Sequence, residues 1–196
     1  MKWLNVNSIQ TKIKNIGLQH DLVENDIFDI TLRLDTTLPE RNDRYNIPRP
    51  IFENIDTLLD NYVPSIDSVN SFINYKEDGV PIFGSFGFGF KRKGFHKIVK
   101  LINDNYDNAI IKFVMPHADT QSSDVGIVEE CKSYITKPTI KLIISHDFFS
   151  EMDILFFLKS NTMNLFLYDT HLSAGVSSVT DYALSVKTPL AISNAS

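Results

Sequence analysis

From residue 80 to the end of the chain, short runs of consecutive apolar residues alternate with longer segments whose apolar residues recur at helical spacing, and nothing else in the sequence restricts the fold as much. "VPIFGSF" is followed by "GFHKIVKLINDNY", in which Phe95, Ile98, Val99, Ile102 and Tyr106 fall on one helical face. "AIIKFVM" precedes "SSDVGIVEECKSYI". "TIKLIIS" precedes "SEMDILFFLKS", where Ser150 and Asp153 have the spacing of a capping box. "MNLFLYD", "VSSVTDYALSV" and "PLAISN" complete a β-α-β-α-β-α-β-α-β order. Strands that are apolar throughout, rather than at every second residue, belong to sheets covered on both faces. The pattern therefore predicts an α/β chain built on an open, doubly wound parallel sheet.

Residues 1–79 read differently. Asn and Asp are frequent, the helical period in "IQTKIKNIGLQHDLV" is weak, and "RYNIPRPIF" carries Pro48 and Pro50. One or two elements followed by an extended connector are expected there, with residues 53–79 as a surface excursion before the first sheet strand. The division expected is an irregular N-terminal extension over 1–79 and the sheet domain over 80–196. The formal charge is −5, and residues 1–79 carry all of the acidic excess, so a broad cationic footprint for nucleic acid is missing and any phosphate recognition must be local. No apolar run reaches the roughly 18 to 20 residues of a membrane helix, and "MKWLNVNSIQTKIKNIG" lacks the apolar stretch and cleavage site of a secretory signal. With a single cysteine, Cys131, no internal disulfide forms, which fits a cytoplasmic location.

In an open α/β sheet, ligands bind outside the carboxyl ends of the strands, which here means after Phe83, Met115, Ser145 and Tyr168. Two of these places are unusual. The first, "IFGSFGFGFKRKG", holds four of the eight glycines and ends on Lys91, Arg92 and Lys93 just before a predicted helix start at Gly94. Glycine lets backbone approach a ligand closely, and the amides and dipole of a helix N-terminus already favour anions. The stretch is phosphate-shaped, although it has neither the "GKS" or "GKT" ending of a P-loop nor the spacing of a dinucleotide-binding G-x-G-x-x-G. A Gly-rich turn with solvated charges is the plainer alternative.

The second place is "DTHLSAGVSSVTDYALSVKTPLAISN". Here Gly175 leads into Ser177 and Ser178 in the first turn of a helix. On a helical wheel Val179, Ala183 and Val186 share one face, while Ser177, Ser178, Asp181 and Ser185 cluster opposite, as either a solvent face or a ligand face.

"GVSSVTDYALSVKTPLAIS" after "NLFLYD", together with "IFGSFGFGFKRKGFHKIVKLI", resembles the nucleotide-sugar binding half of GT-B-fold glycosyltransferases, particularly the large retaining family 4 group. The resemblance spans about residues 80–196 and includes the element order. It implies a Rossmann-like donor domain, the C-terminal half of the GT-B fold, with Lys93 before Gly94 in the position of the lysine that contacts the diphosphate. It implies donor-site residues Ser85, Gly87, Lys91, Arg92, Lys93, Gly175, Val176, Ser177, Ser178 and Asp181, with His146 and Asp169 as further nucleotide contacts. Asp181 stands at the second of two acidic positions eight apart, and Ser173 at the first. Gly87 lies nearest the place of a common loop arginine, for which Lys91 or Arg92 substitutes. The activity implied is transfer of a sugar from a nucleoside diphosphate without a metal or cofactor. Since the family has two Rossmann-like halves and only 79 residues precede this one, the chain is expected to be a truncated or split enzyme, whose acceptor half a second polypeptide would supply. No catalytic residue is identified.

Other readings remain. His117, His146 and His171 all follow strand ends, but none is paired at a tight metal-ligand spacing. Asp147, Glu151 and Asp153 read as helix-start charges. A G-x-S-x-G elbow is missing. A non-catalytic Rossmann-like interaction module is the main alternative. A receiver-type regulator fits less well, because the end of the first sheet strand is Gly-rich and basic rather than acidic.

Overall fold

The computed structural model describes residues 16–19, 28–34, 43–49, 51–117, 126–169 and 177–193, which fall into two compact units. The first unit comprises Met1–Pro50 with Leu172–Ser177, and the second Ile51–His171 with Ser178–Ser196.

Within the first unit, β1 (Ile16–Gln19), β2 (Ile30–Arg33) and β3 (Arg44–Asn46) form a parallel sheet in that order, with Ile16 opposite Ile30 and Thr31 opposite Arg44. Thr31, Arg33 and Arg44 are buried, whereas Ile16 and Leu18 are exposed.

The second unit opens with two helices, α1 (Ile55–Leu59) and α2 (Asp67–Asn74). Five parallel strands follow: β4 (Ile82–Phe86), β5 (Ala109–Val114), β6 (Ile140–Ser145), β7 (Met163–Phe166) and β8 (Leu190–Ile192). Between them run α3 (Phe95–Asn105), α4 (Ile127–Ser133), α5 (Glu151–Ser160) and α6 (Val179–Ser185). The spatial order is β6-β5-β4-β7-β8 and every pairing is parallel, which is the doubly wound sheet that the alternation predicts.

Both faces of the sheet are covered, and this is why its strands lack alternation. On one face α3 and α4 contribute Phe95, Ile98, Val99, Ile102, Ile127 and Cys131 against Ile111 and Phe113 of β5. On the other, α1, α2, α5 and α6 pack Leu59, Phe72, Leu155, Phe157 and Ala183 against Val114 and Phe166. The surface excursion expected over residues 53–79 is therefore corrected: α1 and α2 bury Ile55, Leu59, Val69, Phe72 and Ile73 in this second core. The capping box of α5 is present, with the Ser150 hydroxyl accepting from Asp153 N–H at 3.2 Å and the Asp153 carboxylate accepting from Ser150 N–H at 3.2 Å. Among the described residues no helix is long and apolar enough to cross a membrane.

Two buried polar features lock the layers together. Lys112, in the interior strand β5, is 0 % exposed, and its ammonium donates to the Ile73 carbonyl in the last turn of α2 at 2.8 Å. Burial pushes this amine down to about 8. At the start of β7, Asn161 donates to Asn164 at 2.9 Å and Asn164 donates to the Leu158 carbonyl at 3.0 Å. A Cβ on Gly84 would overlap the Asn161 amide, so β4 can pass this network only with glycine at that position.

Candidate functional site

The strand order reverses at β4, with β5 and β6 to one side and β7 and β8 to the other. The crevice outside the carboxyl ends of a parallel sheet at such a reversal is its natural ligand site, so the segments leaving β4 and β7 line it.

Beyond β4 the Gly87 N–H donates to the Val114 carbonyl at 3.0 Å, which holds the loop beside β5. Lys91–Lys93 then form a single 3-10 turn, closed by Lys93 N–H to the Phe90 carbonyl at 2.9 Å and Gly94 N–H to the Lys91 carbonyl at 3.0 Å. Gly94 has φ 71°, in the left-handed region, and α3 starts at the next residue. Any Cβ on Gly94 would overlap the Leu167 carbonyl just past β7. Glycine is thus required there twice over, once by its dihedral and once by the approach of another strand's backbone.

The exit of β7 meets this turn from the other side. Asp169 N–H donates to the Arg92 carbonyl at 2.8 Å, and the Asp169 carboxylate pairs with Lys97 in the first turn of α3. The Lys93 ammonium lies 4.1 Å from the centroid of the Tyr168 ring, close enough for a cation–π contact. The Tyr168 carbonyl in turn accepts from the Ser193 hydroxyl at 2.7 Å, which ties the same segment to the chain leaving β8.

The three adjacent cations have different surroundings. Lys91 pairs with Glu130 of α4 at 3.5 Å and is well exposed. Arg92 is placed over the Phe90 ring at 5.3 Å, and Phe90 in turn neighbours Phe88 at 6.1 Å. Lys93 is half-buried, and burial, with the neighbouring Arg92 charge as a second cause, pushes its amine down to about 8.

At the ends of β5 and β6 the rings of His117 and His146 stack, with centroids 4.4 Å apart and planes 11° from parallel. His146 Nδ1 is 2.8 Å from the Met115 carbonyl. A carbonyl only accepts, so Nδ1 carries a proton and donates to it.

The remaining sequence candidates are placed as follows. Ser85 is the fourth residue of β4, opposite Phe113, and is buried. Ser178 is the exposed residue preceding α6. Ser177 belongs to the first unit. Gly175, Val176, Ser173 and His171 lie outside the described residues. The wheel expectation for α6 is corrected: Val179, Ala183 and Val186 are buried as read, but Asp181 and Ser185 are only 5 % and 3 % exposed. The physical reason is visible at Ser185, whose hydroxyl accepts from Phe52 N–H at 2.8 Å and donates to the Asp181 carbonyl at 2.7 Å. The chain before α1 covers that side of the helix.

Sequence reasoning missed Tyr168 beneath Lys93, the Lys97–Asp169 and Lys91–Glu130 pairs, and the His117–His146 stack. Tyr168 and Asp169 did carry a signal, since they are the first residues past an apolar strand. Lys97, one helical turn after Lys93, carried a weaker one.

No family description matches this sequence, and no curated protein matches it. Solved structures do match in fold. A glycosyltransferase from Rickettsia africae ESF-5 superposes with a TM-score of 0.64 at 12 % identity, over 91 % of this chain and 51 % of that one. An E. coli structure described as trehalose-6-phosphate bound with UDP-2-fluoro glucose matches with a TM-score of 0.59 at 11 % identity, over 86 % and 47 %. The N-terminal domain of a Candida albicans trehalose-6-phosphate phosphatase matches with a TM-score of 0.55 at 12 % identity, over 79 % and 36 %. The fold is accordingly the Rossmann-like α/β fold of GT-B glycosyltransferases, and the chain spans about half or less of the length of these structures.

Proposed function

We propose that the chain is the donor-binding part of a GT-B-type glycosyltransferase, related to family 4, which holds a nucleoside diphosphate sugar in the crevice between β4 and β7. In this reading Lys93, with Lys91 or Arg92, and the free amides at the start of α3 receive the diphosphate. They stabilise the negative charge that grows on it as the sugar leaves, so the transfer needs no metal. Ser178 adds a hydroxyl donor, and His146 and Asp169 border the nucleotide.

The observation that carries the reading is the joint between the two candidate segments. The Lys91–Lys93 turn is fastened to the exit of β7 through Asp169 N–H to the Arg92 carbonyl and through Lys93 over Tyr168, at the reversal of strand order.

Calorimetric titration of UDP and of GDP tests it. Saturable heat with one of the two nucleotides is expected for the wild-type chain, weakened at least about tenfold in Lys93→Ala, since a hydrogen bond to a charged group contributes about 1.5–3 kcal/mol. Flat heats with both nucleotides would leave the non-catalytic interaction module as the better reading.

A further inference from the structure

We infer that the surface where α2 and α5 begin docks a basic amphipathic helix of a partner protein, with Val63, Ile66 and Phe148 at the centre of the contact and carboxylates along its rim. None of these three residues belongs to the donor site proposed above, so the two readings stand or fall separately.

Two stretches of chain meet there. The Ser68 hydroxyl, in the first turn of α2, donates to the Asp147 carboxylate at 3.3 Å, and the Tyr62 hydroxyl donates to Asp153, in the first turn of α5, at 2.8 Å. Phe72 lies edge-on to Phe149 with ring centroids 5.7 Å apart, and Tyr62 edge-on to Phe156, also at 5.7 Å. Residues 62–68 thereby run alongside residues 147–153, and these contacts fix both backbones. Three large apolar side chains on this seam are nevertheless left in water: Val63 is 69 % exposed, Ile66 52 % and Phe148 78 %. Single apolar side chains on a surface are ordinary, whereas a group of them on one packed seam rimmed by polar residues marks an interaction site.

The charge around the seam selects the occupant. Residues 58–70 and 145–158 carry five carboxylates and neither lysine nor arginine. Asp153 is buried and accepts from Tyr62 and Ser150. Asp60, Asp67, Asp147 and Glu151 are exposed, and among the described residues none of these four is in an ion pair. A second copy of the same surface would set these carboxylates against one another, and an anionic membrane or a nucleic acid would be repelled in the same way. Three side chains also cannot supply the about 800 Å² per partner of a standard interface between folded domains. A single helix with an apolar stripe flanked by lysine and arginine meets both conditions. Its stripe covers the three exposed side chains, and its cations face the four carboxylates.

The experiment titrates the full chain into a fluorescent peptide of about 18 residues, long enough to be helical, with leucine on one face and lysine on the other. A peptide with glutamate in place of lysine is the comparison. Fluorescence anisotropy should show saturable binding of the lysine peptide, weakened as salt is raised, and no binding of the glutamate peptide. Phe148→Ser, whose fold is checked by circular dichroism, should weaken the lysine peptide at least about tenfold, and Asp60→Asn combined with Asp67→Asn at least about threefold. Failure of the lysine peptide to bind, equal binding of the two peptides, or binding that Phe148→Ser leaves unchanged would each overturn the proposal. So would a dimer in sedimentation equilibrium, or co-sedimentation with phosphatidylserine–phosphatidylcholine vesicles, that Phe148→Ser abolishes, because the surface would then belong to a second copy or to lipid.

Discussion

Replacing Lys112 with methionine removes a charge from the interior of the sheet while keeping a side chain of similar length. In the native chain the amine is fully buried, donates to the Ile73 carbonyl at 2.8 Å, and is held down at about 8 against its usual 10.5. The folded state thus binds this proton more weakly than the unfolded state does. Below about pH 8 the native structure carries the cost of a buried charge, and that cost is relieved as pH rises from about 8 toward 10.5. At about 1.4 kcal/mol per pH unit the full cost is about 3 kcal/mol, of which about 2 kcal/mol is recovered between pH 7 and pH 9.5. At neutral pH the substitution relieves the charge but leaves the Ile73 carbonyl without this donor, at about 1–3 kcal/mol, so the two chains should be within about 2 kcal/mol of each other there. The informative quantity is the change with pH. Urea unfolding of both chains at a series of pH values cancels every other titration, including that of Lys93, which also lies at about 8. The wild type should gain about 2 kcal/mol on Lys112→Met between pH 7 and pH 9.5. Parallel profiles would refute the reasoning, since they would mean that the amine keeps its proton as easily in the folded chain as in the unfolded one.

Four further outcomes are expected. Gly94→Ala should destabilise the second unit by more than about 2 kcal/mol in urea unfolding, because it combines a left-handed dihedral with overlap onto the Leu167 carbonyl. Ser150→Ala removes one half of the α5 capping box and should lower stability by about 1 kcal/mol in the same assay. Tyr62→Phe deletes a 2.8 Å hydrogen bond to Asp153 and should cost about 1 kcal/mol, with unchanged circular dichroism. Asp169→Asn keeps the backbone bond to Arg92 but releases Lys97 toward the crevice, so UDP affinity should rise severalfold at low salt and less at high salt.

The second unit's sheet was legible because its strands and helices are long enough for their periods to separate, as with "AIIKFVM" against "GFHKIVKLINDNY". β1, β2 and β3 have only three or four residues each, too few to establish an alternation. α1 and α2 were misread for a related reason. Val69, Phe72 and Ile73 do have helical spacing, but their neighbours are Asp, Ser and Asn, which favour turns as readily as helix. For α6 the wheel located the apolar face, yet it could not reveal that the chain around Phe52 covers the other side. In the site, the cationic turn and its glycine could be read directly from "GFGFKRKG". Its partners could not, because Lys97 and Asp169 are 72 residues apart in sequence and meet only once the strand order is known.

The close fit of Gly94 against the Leu167 carbonyl means that the cationic turn and the end of β7 share one mechanical joint with no slack. A remodelling of the loop after β7 would transmit its displacement to the turn at Lys93. Attempts to engineer the two loops as independent cassettes should therefore fail more often than attempts that exchange them as a matched pair.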